Sequence, residues 1–276
     1  MSKIPITQPL PTPEQPQAAV PRQHRTNASA GALDIAAKSD VGCEREINED
    51  AVHCEIPNAP WVLERGLFFA VADGMGGHNA GEVASQLAIK TARNEYYSTN
   101  STGSTAERLS EAVQTANRAI VDQARSADEQ HGMGTTLVAG VLVDGVVSLA
   151  NVGDSRAYRV SQSAIEQVTQ DHSWVGDQLR AGNLTEQQAR AHPNRNLLTR
   201  ALGQTEQVNV DITEFPLTLG DDVLICSDGL HGLVEDREIA TEIQRHGANQ
   251  ALQQLIELAR QRGGPDNISA VLIKTS

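Results

Sequence analysis

Two aliphatic runs separated only by Asp144-Gly145 constrain the fold of this chain more than any other feature. Residues 137–143 and 146–150 flank an Asp-Gly pair that is typical of a two-residue hairpin turn. Helices do not alternate regularly with the apolar runs, so we expect antiparallel sheets packed face to face with helices outside, rather than a doubly wound parallel sheet. Further strands are predicted at residues 33–41, 66–72, 157–160, 222–227 and 268–273.

Two amphipathic helices are predicted after the second strand. The first, over residues 81–97, is indicated by Val83, Leu87 and Thr91 at four-residue spacing. The second follows a capping-box pair, Ser104 and Glu107. Its stripe is predicted to face the core and consists of Leu109, Val113, Ala116 and Ile120.

The first 31 residues differ in composition from the rest. They contain six of the eleven prolines and no apolar periodicity, so we expect a disordered tail at residues 1–31 and a single domain at residues 32–276. No segment resembles a secretory signal, and no run approaches the roughly 20 apolar residues of a membrane helix. The sequence therefore predicts a soluble, cytoplasmic protein, which we expect to be monomeric.

Charge and cysteine content narrow the classes of function. A net charge of -13, without a basic stripe, argues against binding to nucleic acid or to anionic membranes. The three cysteines, Cys43, Cys54 and Cys226, are odd in number and lack the spacing of a metal site. We expect reduced thiols that act as small buried hydrophobes.

Acidic residues stand at the ends of apolar runs and in turns, a scatter that suggests an oxygen-only site for Mg²⁺ or Mn²⁺. The alternative is a set of unrelated turn aspartates, which is how we interpret Asp144. Asp73 differs because it ends a fully apolar strand and leads into a glycine run, where a backbone carbonyl could approach a ligand closely. The candidates are Glu49-Asp50, Asp73-Gly74, Asp154, Asp228-Gly229 and Asp266-Asn267.

Hydrolysis of a phosphate monoester would explain such a site, because a pair of metals roughly 3.5–4 Å apart clamps both reacting oxygens and activates a water. Asp73 is the best bridging candidate. The Gly74 carbonyl would complete the ligands of one ion, and Asp228 and Asp266 those of the other.

Three other residues are candidates for the chemistry. Arg45 has the guanidinium fork that suits phosphate oxygens, although a surface salt bridge with Glu44 or Glu46 is the alternative. His78 could donate a proton to the leaving oxygen, although a lone histidine is more often structural. Asn267 is a second candidate for substrate binding.

Residues 171–203 form a polar, helix-prone insertion with a capping pattern at Thr185 and Gln188. Long ordered connections in compact domains are often lids over sites. We therefore expect a lid, with a surface excursion of no function as the alternative.

Six short motifs then carry a resemblance that covers the chain from about Leu33 to its end. Their order resembles that of the metal-dependent type 2C serine/threonine protein phosphatases, and the chain looks like a bacterial member of this PPM family. The motifs are Arg45 to Asp50, Asp73 to His78, Gly132 to Thr136, Asn151 to Arg156, Cys226 to Leu230 and Gly264 to Asn267.

The resemblance implies an α+β fold with four layers, α-β-β-α, in which a central β-sandwich of two antiparallel sheets is flanked by pairs of helices. It implies hydrolysis of phosphoserine and phosphothreonine at two Mn²⁺ or Mg²⁺ ions, without a phosphoenzyme. Arg45 matches the phosphate-binding arginine, and residues 171–203 match a flap beside the active site. The implied metal residues are Asp73, Gly74, Asp228 and Asp266, with Glu49 and Asp50 as the supporting pair and Asp154 with Asp228 at a weaker third site.

One departure concerns the proton donor. Eukaryotic relatives commonly carry a histidine two residues after the bridging aspartate, where this chain has Met75, so His78 or a metal-bound water would have to serve. The implied partners are phosphorylated proteins, the products of a bacterial serine/threonine kinase. An inactive relative that binds phosphoproteins is the alternative function. An EF-hand is excluded by Met75 and His78, and the glycines near Gly74 match a nucleotide-binding loop only partly.

Overall fold

The computed structural model of the protein describes residues 33–76, 80–126 and 132–275. The predicted tail and His78 lie outside the described residues. No helix in the described ranges has both the length and the apolar character needed to cross a bilayer.

The described elements follow one another with few regular strand–helix alternations. The strands are β1 Leu33–Asp40, β2 Asp50–Cys54, β3 Leu67–Met75, β4 Gly134–Thr135, β5 Leu137–Val143, β6 Val146–Val152, β7 Arg156–Val160, β8 Ile165–Gln167, β9 Asp211–Pro216, β10 Asp222–Cys226 and β11 Ile268–Thr275. The helices are α1 Pro60–Arg65, α2 Ala80–Tyr96, α3 Thr105–Ser126, α4 Trp174–Arg180, α5 Glu186–Arg190, α6 Asp228–His231, α7 Asp236–Arg245 and α8 Ala248–Gln261.

The strands form two sheets in which every described pairing is antiparallel. The first sheet has the spatial order β1-β11-β10-β7-β8. The second has the order β2-β3-β5-β6-β9, and β4 pairs with the end of β3.

Alternation along the strands produces the layers. In β3, Phe69 points towards the first sheet and joins a buried cluster with Ile225 and Val271, while Phe68 and Ala70 point the other way, into a cluster with α2 and α3. Helices α7 and α8 cover the outer face of the first sheet in the same way. The predicted four-layer α-β-β-α sandwich is therefore confirmed.

Local predictions were mostly confirmed. Asp144 and Gly145 form a two-residue hairpin turn, both with positive φ (51° and 75°), between the paired residues Val143 and Val146. All four residues of the predicted core stripe of α3 are fully buried. The capping box of Ser104 is also present, since its hydroxyl accepts the N–H of Glu107 and its own N–H donates to that carboxylate.

The predicted stripe of α2 was displaced by one position. Val83 and Leu87 are only partly buried and lie beside the core. The centre of the buried face is Ala84, Ala88 and Ala92, each fully buried. Small side chains allow α2 to pack closely on its neighbours, and a search for large apolar residues does not detect them. The sequence also did not predict β2 and β9, the edge strands of the second sheet.

Candidate metal centre

Strand alternation brings three polar residues together at one end of the sandwich. Val52 of β2 and Val71 of β3 point between the sheets. Asp50 lies two residues before Val52, and Asp73 lies two residues after Val71, so strand alternation directs both side chains into the same space. Asp50 and Asp73 are direct partners in the ladder. Ser227, which follows β10, enters the same space from the opposite sheet. The site is therefore built where both sheets end.

Asp73 is held through its backbone. Its N–H donates to Oγ1 of Thr136 (3.0 Å), and its carbonyl accepts the N–H of Thr136 (2.9 Å). The next residue must be glycine, because a Cβ on Gly74 would lie 2.1 Å from the carbonyl oxygen of Gly81 and 2.5 Å from that of Glu49. This close approach brings the segment of the acidic pair against Asp73.

Asp50 is fixed by hydroxyl groups from the opposite sheet. Oγ of Ser227 donates to Oδ2 of Asp50 at 2.8 Å, and the same Oγ accepts the N–H of Ser269 at 3.0 Å. Since Ser227 and Ser269 are both fully buried, this chain of hydrogen bonds ties the two sheets together next to the carboxylates.

Asn267 was predicted to contact substrate, but its side chain forms hydrogen bonds with the protein backbone. It is buried, with 4% of its surface exposed. Its Oδ1 accepts the N–H of Glu49 (2.8 Å), and its Nδ2 donates to the carbonyls of Val41 and Ile47 (2.9 and 3.0 Å). The amide thus fastens the loop between β1 and β2 that carries Arg45 and the acidic pair.

Two more predicted ligands complete the cluster from the first sheet. Asp228 begins α6, and only Ser227 separates it from the end of β10. Burial raises the pKa of its carboxyl group, and the negative charge of Asp266 adds to the rise. Asp266 pairs with Arg45 through Nη2 and Oδ2 at 2.9 Å. The predicted Arg45 therefore lies at the acidic cluster, half exposed, and its ion pair is with Asp266 rather than with the neighbouring glutamates considered above.

Asp154 is oriented by two histidines. His231 lies within 3.0 Å of the Asp154 carbonyl through Nε2, and because a carbonyl can only accept, Nε2 carries the proton. Burial lowers the pKa of His231 to about 3, so the ring is neutral. On the other side, the N–H of Gly153 donates to Nδ1 of His172 at 3.0 Å. Both contacts fix the backbone that presents Asp154.

Burial and crowding make the ionised cluster unfavourable. Burial is the largest cause and mutual repulsion adds to it, and together they raise the pKa of Asp50 to about 7 and those of Asp73, Asp154 and Asp228 above the usual carboxyl range. The pKa of Glu49 is raised as well, again chiefly by burial.

The donor set fits hard divalent cations. Among the described residues, buried oxygens that lack a hydrogen-bond partner include Oε1 of Glu49, Oδ1 of Asp50 and Oδ1 of Asp228. Unpartnered carboxylate oxygens in one buried cluster are the ligands that Mg²⁺ and Mn²⁺ prefer. Within the described ranges no three His, Cys, Asp or Glu side chains are placed so that, as they stand, they could hold a metal ion. The fit therefore rests on donor type, burial and these orphaned oxygens.

A cavity of about 250 Å³ connects the cluster to residues 171–203. Asp154, Asp228 and Asp266 line it together with side chains of α4 and α5. The predicted helical segment is present, and Thr185 forms the predicted capping box with Gln188. At its base, Asp171 forms a buried ion pair with Arg156 (Nη2 to Oδ2, 2.7 Å). The segment thus lies beside the site, and its role as a lid stays a prediction.

Sequence reasoning missed the residues that hold the acids in place, notably Thr136, Ser227 and His231. Thr136 and Ser227 lie inside motifs that carried the resemblance, but no role followed from their chemistry alone. A signal was present for Ser227, since alternation along β10 predicts that it points between the sheets. Nothing in the sequence pointed to His231, whose contact with Asp154 depends on tertiary packing.

Comparisons with known proteins identify relatives of this chain. The family model described as Protein phosphatase 2C matches residues 44–272. The serine/threonine phosphatase Stp of Listeria welshimeri is 37% identical over 244 residues, which cover 86% of this chain and 94% of that protein.

Solved structures give the same result. The crystal structure of the Mycobacterium tuberculosis serine/threonine phosphatase PstP superposes with a TM-score of 0.78 at 37% identity, covering 88% of this chain and 99% of that one. A structure of the PstP catalytic domain in complex with two manganese ions has a TM-score of 0.76 at 36% identity, covering 88% of this chain and 97% of that one.

Proposed function

The chain belongs to the protein phosphatase 2C family and is a protein-serine/threonine phosphatase, and from this premise we propose that it hydrolyses phosphoserine and phosphothreonine in proteins at a pair of Mn²⁺ or Mg²⁺ ions. The family resemblance predicted from the six motifs is confirmed. The observation that carries the proposed mechanism is the set of buried carboxylate oxygens without a hydrogen-bond partner on Glu49, Asp50 and Asp228.

We assign the metal-binding roles as the sequence predicted them. Asp73 would be a ligand of both ions, the Gly74 carbonyl would complete the ligands of one ion, and Asp228 and Asp266 would complete those of the other. Glu49 and Asp50 support the pair. Two bound divalent ions would neutralise the cluster, bind phosphate oxygens and lower the pKa of a water molecule towards 7 or so. The related PstP structure with two manganese ions supports this assignment.

Asp154 is proposed for a weaker third site that it shares with Asp228. Support comes from its burial, from the raised pKa of its carboxyl group and from the histidine contacts that fix its backbone. Asp154 lies in the wall of the cavity near the flap. A third ion there would belong to the side of the site that meets the substrate protein.

Arg45 is proposed to bind the phosphate group. Its side chain is 48% exposed although it pairs with Asp266, so part of the guanidinium is accessible to a ligand. The negative charges of Asp266, Glu49 and Asp73 keep it protonated. Because a guanidinium can bind two phosphate oxygens with parallel hydrogen bonds, Arg45 would orient the phosphate towards the acidic cluster.

Asn267 is proposed as a positioning residue rather than a substrate ligand, because its amide bonds the backbone of the loop that carries Arg45. The proposed proton donor to the leaving serine or threonine oxygen stays His78. Partnership with a bacterial serine/threonine kinase, the monomeric state and the cytoplasmic location stay predictions.

The function is tested with matched phosphoserine, phosphothreonine and phosphotyrosine peptides, assayed after EDTA treatment and during titration with Mn²⁺ or Mg²⁺. We expect release of phosphate from the first two peptides only, with activity restored by metal. Activity that survives EDTA would contradict the metal-dependent mechanism. If no peptide is dephosphorylated at any metal concentration, the result would favour the alternative, an inactive relative that binds phosphoproteins.

A further inference from the structure

The cavity beside the metal centre has a mixed lining. Besides the carboxylates and several arginine and amide side chains, four aliphatic side chains line it: Val175, Leu179 and Ala189 from the flap, and Leu233 from the turn after α6. Phosphate chemistry does not require aliphatic walls. One continuous cavity that combines acids with aliphatic side chains suits a ligand that has both a phosphate and an apolar group.

The aliphatic wall is held in place by polar contacts around it. Nη1 of Arg190 donates to the carbonyl of His231 at 3.2 Å, which fastens α5 to the turn after α6. The Ser173 hydroxyl caps α4 by accepting the N–H of Gly176. Trp174 stacks on His192 with ring centroids 4.6 Å apart. The wall is thus formed before any ligand binds.

Two of the four aliphatic residues have side-chain surface that a ligand could still bury. Val175 and Ala189 are buried, whereas Leu179 and Leu233 are only partly buried. Both line the same cavity, Leu179 from the flap and Leu233 from the turn after α6. An apolar group bound against them would remove part of their remaining aliphatic surface from water.

Size limits what the cavity can receive. Its volume of about 250 Å³ is below the usual range of roughly 300–1,000 Å³ for pockets that enclose drug-sized ligands. It therefore suits a phosphorylated residue and one neighbouring side chain rather than a folded segment.

We propose that Leu179 and Leu233 form a subsite for an apolar side chain of the substrate, immediately beside the phosphorylated residue. This inference rests on the proposed phosphatase function. The substrate class is therefore a phosphopeptide with a large aliphatic or aromatic residue next to phosphoserine or phosphothreonine, and a peptide with alanine there leaves the subsite unfilled.

The test uses one phosphoserine peptide with alanine at the two positions on each side, and four versions that carry leucine at one of those positions. Measured with Mn²⁺, the kcat/KM of the wild-type enzyme should rise about tenfold for leucine at one adjacent position. The ratio between the leucine and alanine peptides should fall below about threefold in Leu179→Asn and in Leu233→Asn.

A ratio measured on a single preparation does not depend on how much of the variant is folded. The matched control is Leu197→Asn, since Leu197 is an exposed flap leucine outside the cavity lining, and it should keep the wild-type ratio. The subsite is refuted if the wild type dephosphorylates all five peptides with equal kcat/KM, or if both cavity variants keep the wild-type ratio between the leucine and alanine peptides. If the wild type dephosphorylates none of the peptides, the proposed function is refuted instead.

Discussion

Oγ of Ser227 donates a hydrogen bond to Oδ2 of Asp50 at 2.8 Å, although Asp50 begins a strand of the second sheet and Ser227 follows a strand of the first. The contact joins the two sheets beside the acidic cluster, where burial and neighbouring negative charges raise the pKa of Asp50 to about 7. Each carboxyl group of the cluster is unfavourable as a buried anion, and each would be stabilised by a bound cation.

Asp73→Asn should separate the effect of the buried acids on stability from their effect on catalysis. We expect kcat to fall by about 1,000-fold or more, because the proposed bridging ligand is lost. The metal-free variant should unfold at a temperature equal to or above that of the metal-free wild type, since a buried, repelled acid has been removed. Phosphate-release kinetics and thermal unfolding in EDTA check both parts. A variant that keeps near-normal turnover in saturating Mn²⁺ would refute the assignment.

The metal-free protein should lose stability as the pH rises from about 4 to about 7. The folded-state pKa of Asp50 is raised from 3.8 to about 7, so in this window the folded state keeps a proton that the unfolded state has lost. Each pH unit should then cost about 1.4 kcal/mol of unfolding free energy for each such group.

Urea denaturation at several pH values measures this dependence. Saturating Mn²⁺ should abolish the decline, because bound metal replaces the protons. Identical pH dependence with and without Mn²⁺ would mean that the acidic cluster is not the source.

Arg45→Ala should mainly raise KM, by about tenfold, with a smaller effect on kcat, because the proposed role is to bind a phosphate group already present in the substrate. Arg45→Lys should recover only part of the loss, since an ammonium lacks the bidentate fork. Steady-state kinetics on a phosphothreonine peptide provides the measurement. An unchanged KM in Arg45→Ala would argue against phosphate binding by this residue.

Ser227→Ala should destabilise the protein by about 1–3 kcal/mol, because it leaves Oδ2 of Asp50 and the N–H of Ser269 without their buried partner. Ser85→Ala is the matched control, since Ser85 is equally buried and its hydroxyl bonds only a carbonyl of its own helix. The control should change stability little. Urea denaturation measures the free energy of unfolding of both variants. An equal decrease in the two would show that the hydrogen bonds of Ser227 between the sheets contribute no more to stability than a hydroxyl bond within one helix.

The sequence predicted those parts of the fold and site that depend on local chemistry. Apolar runs that end in acids located the strands and most candidate ligands, and Asp144-Gly145 and Ser104 indicated a turn and a cap from their own residue types. The edge strand β9 was missed because it alternates between exposed and half-buried residues and is polar enough to resemble a loop. Its pairing with β6 depends on tertiary context.

The residues that orient the ligands were harder to predict for a similar reason. Thr136 and His231 act on Asp73 and Asp154 from distant parts of the chain, and their types are common in turns and strands. Asn267 was predicted to contact substrate, whereas its amide forms hydrogen bonds with the backbone of the loop that carries the acidic pair. Neighbourhood in sequence did not indicate the direction of the side chain.

Anomalous diffraction at the manganese edge, from crystals grown with excess Mn²⁺, tests directly whether the buried acids hold a pair of metal ions. We expect two strong peaks between the sheets, both within ligand distance of Asp73, with Asp228 and Asp266 around one of them. Peaks only elsewhere on the surface, with no manganese within ligand distance of Asp73 or Asp228, would contradict the proposed metal centre.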